Sequence, residues 1–106
     1  MNLRQFWKFF GLICTFLLSS ASTLAQVDDA RVKRIISGSC FICHGPTGHH
    51  TTELIPKLAG QNAEYIARQL ANFKNGTRVN KEMAEMSSKL SSEEMLALGK
   101  FFEKQN

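Results

Sequence analysis

Apolar residues recur at helical spacing in three stretches of the chain, and polar, glycine- and proline-bearing segments separate them. Val32, Ile35 and Ile36 lie on one stripe, with Asp28 and Asp29 where a helix presents its partial positive charge, which predicts a first helix from about Asp28 to Phe41. Gly45, Pro46, Gly48, Pro56 and Gly60 then mark a long loop. A second helix is predicted from an Asn62 N-cap to about Asn75, with Tyr65, Ile66, Gln69, Leu70 and Phe73 at helical spacing and Gly76 as its stop. The third opens at Ser91-Ser92-Glu93-Glu94, a capping box in which Ser91 and Glu94 satisfy each other's orphan amides. Met95, Leu98, Phe101 and Phe102 form its apolar face, whose natural partner is the stripe of the first helix. No segment alternates with the period of a strand, so the fold class is all-α.

The N-terminus follows a different pattern. Arg4 and Lys8 precede an apolar run, Phe9 to Leu18, and a small-residue stretch, Ser19 to Ala25, which together read as a secretory signal peptide. The apolar run is half of the about 20 residues that a bilayer span needs, so cleavage after Ala25 is expected, with Ser19 to Ala21 as a second possible region. This divides the chain into a signal peptide, 1–25, and one domain, 26–106, exported to the periplasm without a stable membrane anchor. Cys14 leaves with the leader, and the two cysteines that remain preclude a separate structural disulfide.

The whole chain has 106 residues and a formal charge of +4. Loss of Arg4 and Lys8 leaves 11 basic residues against 9 acidic ones, a formal +2, so the basic character belongs mostly to the precursor and nothing calls for nucleic acid. A domain of this size buries only roughly 60–65% of its unfolded surface. A large apolar prosthetic group would supply the missing core.

Cys40-Phe41-Ile42-Cys43-His44 identifies that group. C-x-x-C-H is the attachment signature of a covalent c-type haem: three-residue spacing on a helix puts both thiols on one face, where each adds to a vinyl group, and the next residue meets the iron. The competing chemistry is a redox dithiol, or zinc held by Cys40, Cys43, His44 and either His49 or His50. Zinc would need four ligands closed within about ten residues, whereas such sites usually pair two separated knuckles. One C-x-x-C-H and no repeat mean one haem. Met83 and Met86, in the loop or short turn before the third helix, are both candidates for the second axial position. Met95 belongs to an apolar face, and His49 and His50 follow His44 too closely to reach the opposite side of a haem.

Cys40-Phe41-Ile42-Cys43-His44-Gly45, Ile55-Pro56-Lys57-Leu58-Ala59-Gly60-Gln61, then Tyr65, Gln69-Leu70, Phe73, Gly76, Arg78 and Met83 seven positions before Leu90-Ser91 resemble a class I cytochrome c. More narrowly, they resemble one half of the di-haem periplasmic cytochromes and the cytochrome subunit of flavocytochrome c sulfide dehydrogenases. The resemblance implies three main helices and long loops around one covalent haem c, with His44 and Met83 as iron ligands. It further implies that the Pro56 carbonyl orients His44. Gln61, Tyr65 and Arg78 are candidates to meet haem propionates, and Lys57, Lys74, Lys81 and Lys89 to ring a haem edge. Many class I cytochromes carry glycine in the first helix where it crosses the last, at the position where Lys33 stands, so the helix crossing is expected either to differ or to use Ser37 and Gly38 instead.

With both axial positions filled by protein, no open site remains for substrate, and an electron carrier rather than an enzyme is expected. Its partners would be a redox donor and a redox acceptor, or a larger dehydrogenase of which this chain is the electron-accepting subunit. An open sixth position, as in a haem sensor or haem enzyme, is the contrasting expectation.

Overall fold

The computed structural model describes residues 26–106, so the expected signal peptide, its cleavage site and Cys14 lie outside the described residues. The first helical stretch begins with α1, Asp29–Ile35, capped by Asp28, whose carboxylate accepts the Arg31 amide at 2.6 Å. Asp29 in its first turn and Lys33 and Arg34 in its last complement the helix dipole. The chain does not continue as one regular helix to Phe41, as its periodicity predicts. Ile36–Cys40 form a π-helical turn, and α2, Phe41–His44, completes the stretch before Gly45 ends it at φ 75°.

α3, Ala63–Asn75, starts at Asn62, whose side-chain oxygen accepts the Tyr65 amide at 2.9 Å, and stops at left-handed Gly76. α5, Ser92–Glu103, carries the complete capping box between Ser91 and Glu94. Between them lies an element that apolar spacing alone does not announce. α4, Lys81–Ser87, is capped by Asn80 accepting the Met83 amide at 2.8 Å, so Met83 and Met86 sit on a helix and not in a loop. No strand occurs among the described residues.

Val32, Ile35 and Ile36 pack with Ile66, Leu90, Met95, Leu98 and Phe102 in one core. α5 lies chiefly on α3, with α1 also against it. An Arg31–Glu94 ion pair of 2.8 Å ties α1 to the start of α5. The close helix crossing is not at Ser37 and Gly38, which are exposed; a Cβ on Gly38 would meet no atom within 4 Å. It is at Gly99 of α5, where a Cβ would collide with the backbone of Ala63 in α3. The glycine lies on the last helix, facing the middle one.

Candidate functional site

The loop after α2 is closed by its own backbone. The His44 carbonyl accepts the His50 amide at 3.1 Å, and the Gly48 carbonyl accepts the amides of Leu58 and Ala59 at 2.9 and 3.1 Å. Gly48 itself has φ 77° and lies so close to Leu58 and Phe102 that a Cβ would come within 2.8 and 2.7 Å of their side chains. This fastening returns Pro56 to the motif.

There, Nδ1 of His44 lies 3.1 Å from the Pro56 carbonyl oxygen. A carbonyl can only accept, so Nδ1 carries the proton and the neutral ring presents the Nε2 lone pair. His44 is only 6% exposed. Burial holds its pKa below the ordinary histidine value; the bond to Pro56 opposes this, and the nearby His50 adds a smaller depression. The imidazole is therefore kept in the neutral form that a metal requires.

Cys40 and Cys43 are both free thiols. Cys40 packs against the core, and burial pushes its pKa up to about 11, whereas Cys43 is exposed. Two unlinked thiols beside a neutral, oriented imidazole are the donor set that covalent haem c attachment needs, so the residues fit that group. Phe41 and Ile42, between the thiols, are 50% and 77% exposed. Among the described residues no three His, Cys, Asp or Glu side chains converge as a metal cluster. His49 instead has Nδ1 at 2.7 Å from Thr47 Oγ1.

Thus Cys40, Cys43 and His44 share one helical stretch and Pro56 is brought to His44, while Met83 is carried on a separate element, α4, packed on α3. Met83 is half-buried and Met86 exposed. Of the expected propionate partners, Arg78 is already engaged: its guanidinium lies 4.6 Å from the centre of the Phe73 ring and donates to Gln69 at 2.9 Å. Gln61 and Tyr65 are exposed. Lys74 donates to the Leu90 carbonyl at 2.6 Å and braces the α4–α5 connection, so it is not a free rim charge, whereas Lys57, Lys81 and Lys89 are exposed.

An all-helical chain whose buried histidine follows two free cysteines and leans on a proline carbonyl has the class I cytochrome c fold and resembles one half of a di-haem cytochrome. Its relatives include cytochromes. The chain is 42% identical over 66 residues to cytochrome c4 of Thiocapsa roseopersicina, covering 62% of this chain and 34% of that protein. Over 107 residues it is 31% identical to cytochrome c-552 of Acidithiobacillus ferridurans, covering 96% of this chain and 46% of the relative. It is 35% identical over 68 residues to the cytochrome subunit of sulfide dehydrogenase of Chlorobaculum tepidum, 64% of this chain and 61% of that one. The chain thus spans between about a third and three fifths of the length of these curated relatives. No family model matches.

Proposed function

We propose that this chain is a periplasmic c-type cytochrome that carries single electrons between redox proteins through one covalent haem c, with His44 and Met83 as its axial ligands. The observation that carries the proposal is the 3.1 Å contact of His44 Nδ1 with the Pro56 carbonyl, because it fixes the tautomer and aim of the residue immediately after two free thiols. When bound, the haem supplies a reversible one-electron couple at its iron, and a thioether ligand places that couple higher than a second imidazole would.

The chain's own residues then do three things. Cys40 and Cys43 anchor the group, so that it cannot dissociate. His44 is held neutral and oriented by burial and by Pro56. Met83 is the ligand candidate favoured over Met86 because it is the half-buried methionine of α4 and stands seven residues before Leu90. A second reading, that the chain is the electron-accepting subunit of a larger dehydrogenase, draws on the likeness to a sulfide dehydrogenase cytochrome subunit. Co-purification of a flavoprotein with the chain would favour it.

The test is the optical spectrum of the matured protein beside its Met83→Ala and Met86→Ala variants. The far-red sulfur-to-iron band is expected in the parent and in Met86→Ala and absent in Met83→Ala. A parent without the band would instead mean another ligand or an open iron. That outcome would be followed by carbon monoxide binding to the reduced protein, which a His/Met site resists.

A further inference from the structure

The π-turn ends at Cys40, the first residue of the attachment motif. Ile36–Cys40 joins α1 to α2 without a break, and at its end the Phe41 amide donates to the Ile36 carbonyl, five residues back. A turn closed in this way accommodates one more residue than an α-helical turn, so everything beyond it is set back by one residue's rotation, about 100°.

The consequence falls on the motif. In an unbroken α-helix the eight steps from Ile36 would carry His44 about 80° past the buried stripe, and the seven steps to Cys43 would leave Cys43 within about 20° of it. With one residue absorbed, the effective steps are seven and six, so His44 falls within about 20° of Ile36 and Cys43 lies about 120° away. The exposures match the second arrangement: Ile36 is 4% and His44 6% exposed, while Cys43 is exposed. A regular helix would bury the thiol and turn the imidazole away from the side on which the core lies.

We propose that the π-turn Ile36–Cys40 sets the rotational register of the attachment motif, turning His44 onto the buried stripe of α1 and Cys43 off it. This rests on the reading of His44 as the iron ligand. The π-turn is a positioning device and touches neither iron nor substrate. Gly38 is the residue to remove, because it is exposed and a Cβ there would have no neighbour within 4 Å, so its loss deletes no side-chain packing.

The experiment compares three full-length chains matured with haem: the parent, a chain with Gly38 deleted, and a chain with one alanine inserted between Gly38 and Ser39. Mass spectrometry reads covalent attachment, and the optical spectrum reads the iron ligands. Deletion of Gly38 removes the residue that the π-turn absorbs, so a regular α-helix then places His44 seven true steps from Ile36, and the low-spin spectrum and the far-red band are expected to be kept. The insertion adds a residue that one π-turn does not absorb and turns the motif by about 100°; it is expected to keep both thioethers, since these depend on the pentapeptide alone, and to lose the low-spin spectrum and the band. A deletion chain without the parent spectrum overturns the proposal, and so does an insertion chain that keeps it. A parent without a histidine-ligated low-spin spectrum would instead remove the ligand reading on which the proposal rests.

Discussion

α1, the π-turn and α2 bury Val32, Ile35, Ile36 and His44 along one continuous stretch, whereas α4, which carries Met83 and Met86, buries only Ser87. The first region is fastened from several sides: by the core, by the Pro56 carbonyl, by the loop closed on Gly48 and by the Arg31–Glu94 pair. The second is a seven-residue helix with an Asn80 cap and a serine hydroxyl that is buried with no partner. Two ligands of one iron would therefore stand on supports of unequal strength. Segments with few buried apolar contacts open at lower free energy than the core, so the methionine side is the part that yields first.

The largest effect expected is from His44→Ala, which removes the imidazole that Pro56 aims. Haem should remain attached through both thioethers by mass, while the low-spin spectrum is lost. Gly99→Ala comes next, because the added methyl meets the Ala63 backbone, which cannot swing aside. An overpacked crossing of this kind costs about 1–3 kcal/mol, readable as a lower denaturant midpoint of the helical signal. This change weakens the shared scaffold of α3 and α5 and should lower both sides together.

Ser87→Ala sharpens the comparison in the other direction. Removing a buried hydroxyl that makes no hydrogen bond should stabilise α4 by about 1 kcal/mol, raising the denaturant midpoint of the far-red band with little change on the histidine side. The smallest effect expected is from Arg31→Ala, whose partner pair is half exposed on the arginine side and contributes under about 1 kcal/mol. Its pH dependence has a definite sign. The Ser91 backbone amide first, and Arg31 second, hold the Glu94 carboxyl below its usual range. The stabilisation is thus present above the ordinary carboxylate pKa and is lost as pH falls through the lower folded value. Thermal midpoints taken down an acid series should converge for the parent and Arg31→Ala.

The parts legible in the sequence are those encoded locally. Asn62 and the Ser91–Glu94 box mark helix starts because their side chains satisfy amides three residues away, and Gly76 marks a stop because only its own φ matters. The attachment motif is legible for the same reason. Gly99 is not legible as a crossing point, since its partner Ala63 is remote in sequence. α4 lacks an apolar stripe; the signal that would have found it is Asn80 followed by seven residues free of glycine and proline. The π-turn follows from the competition between burying Ile36 and burying His44 on one face, which periodicity up to Phe41 does not register. The contact of Pro56 with His44 was expected only from a family resemblance, because a loop carbonyl has no signature of its own.

The unequal footing of the two proposed ligands is tested most directly by one denaturant titration of the ferric protein, following the far-red sulfur-to-iron band and the far-ultraviolet helical signal in the same samples. The band is predicted to disappear at a lower denaturant concentration than the helices, with His44 still bound. Coincident loss of the two signals would contradict it, and would mean that α4 is as firmly held as the stretch that carries His44.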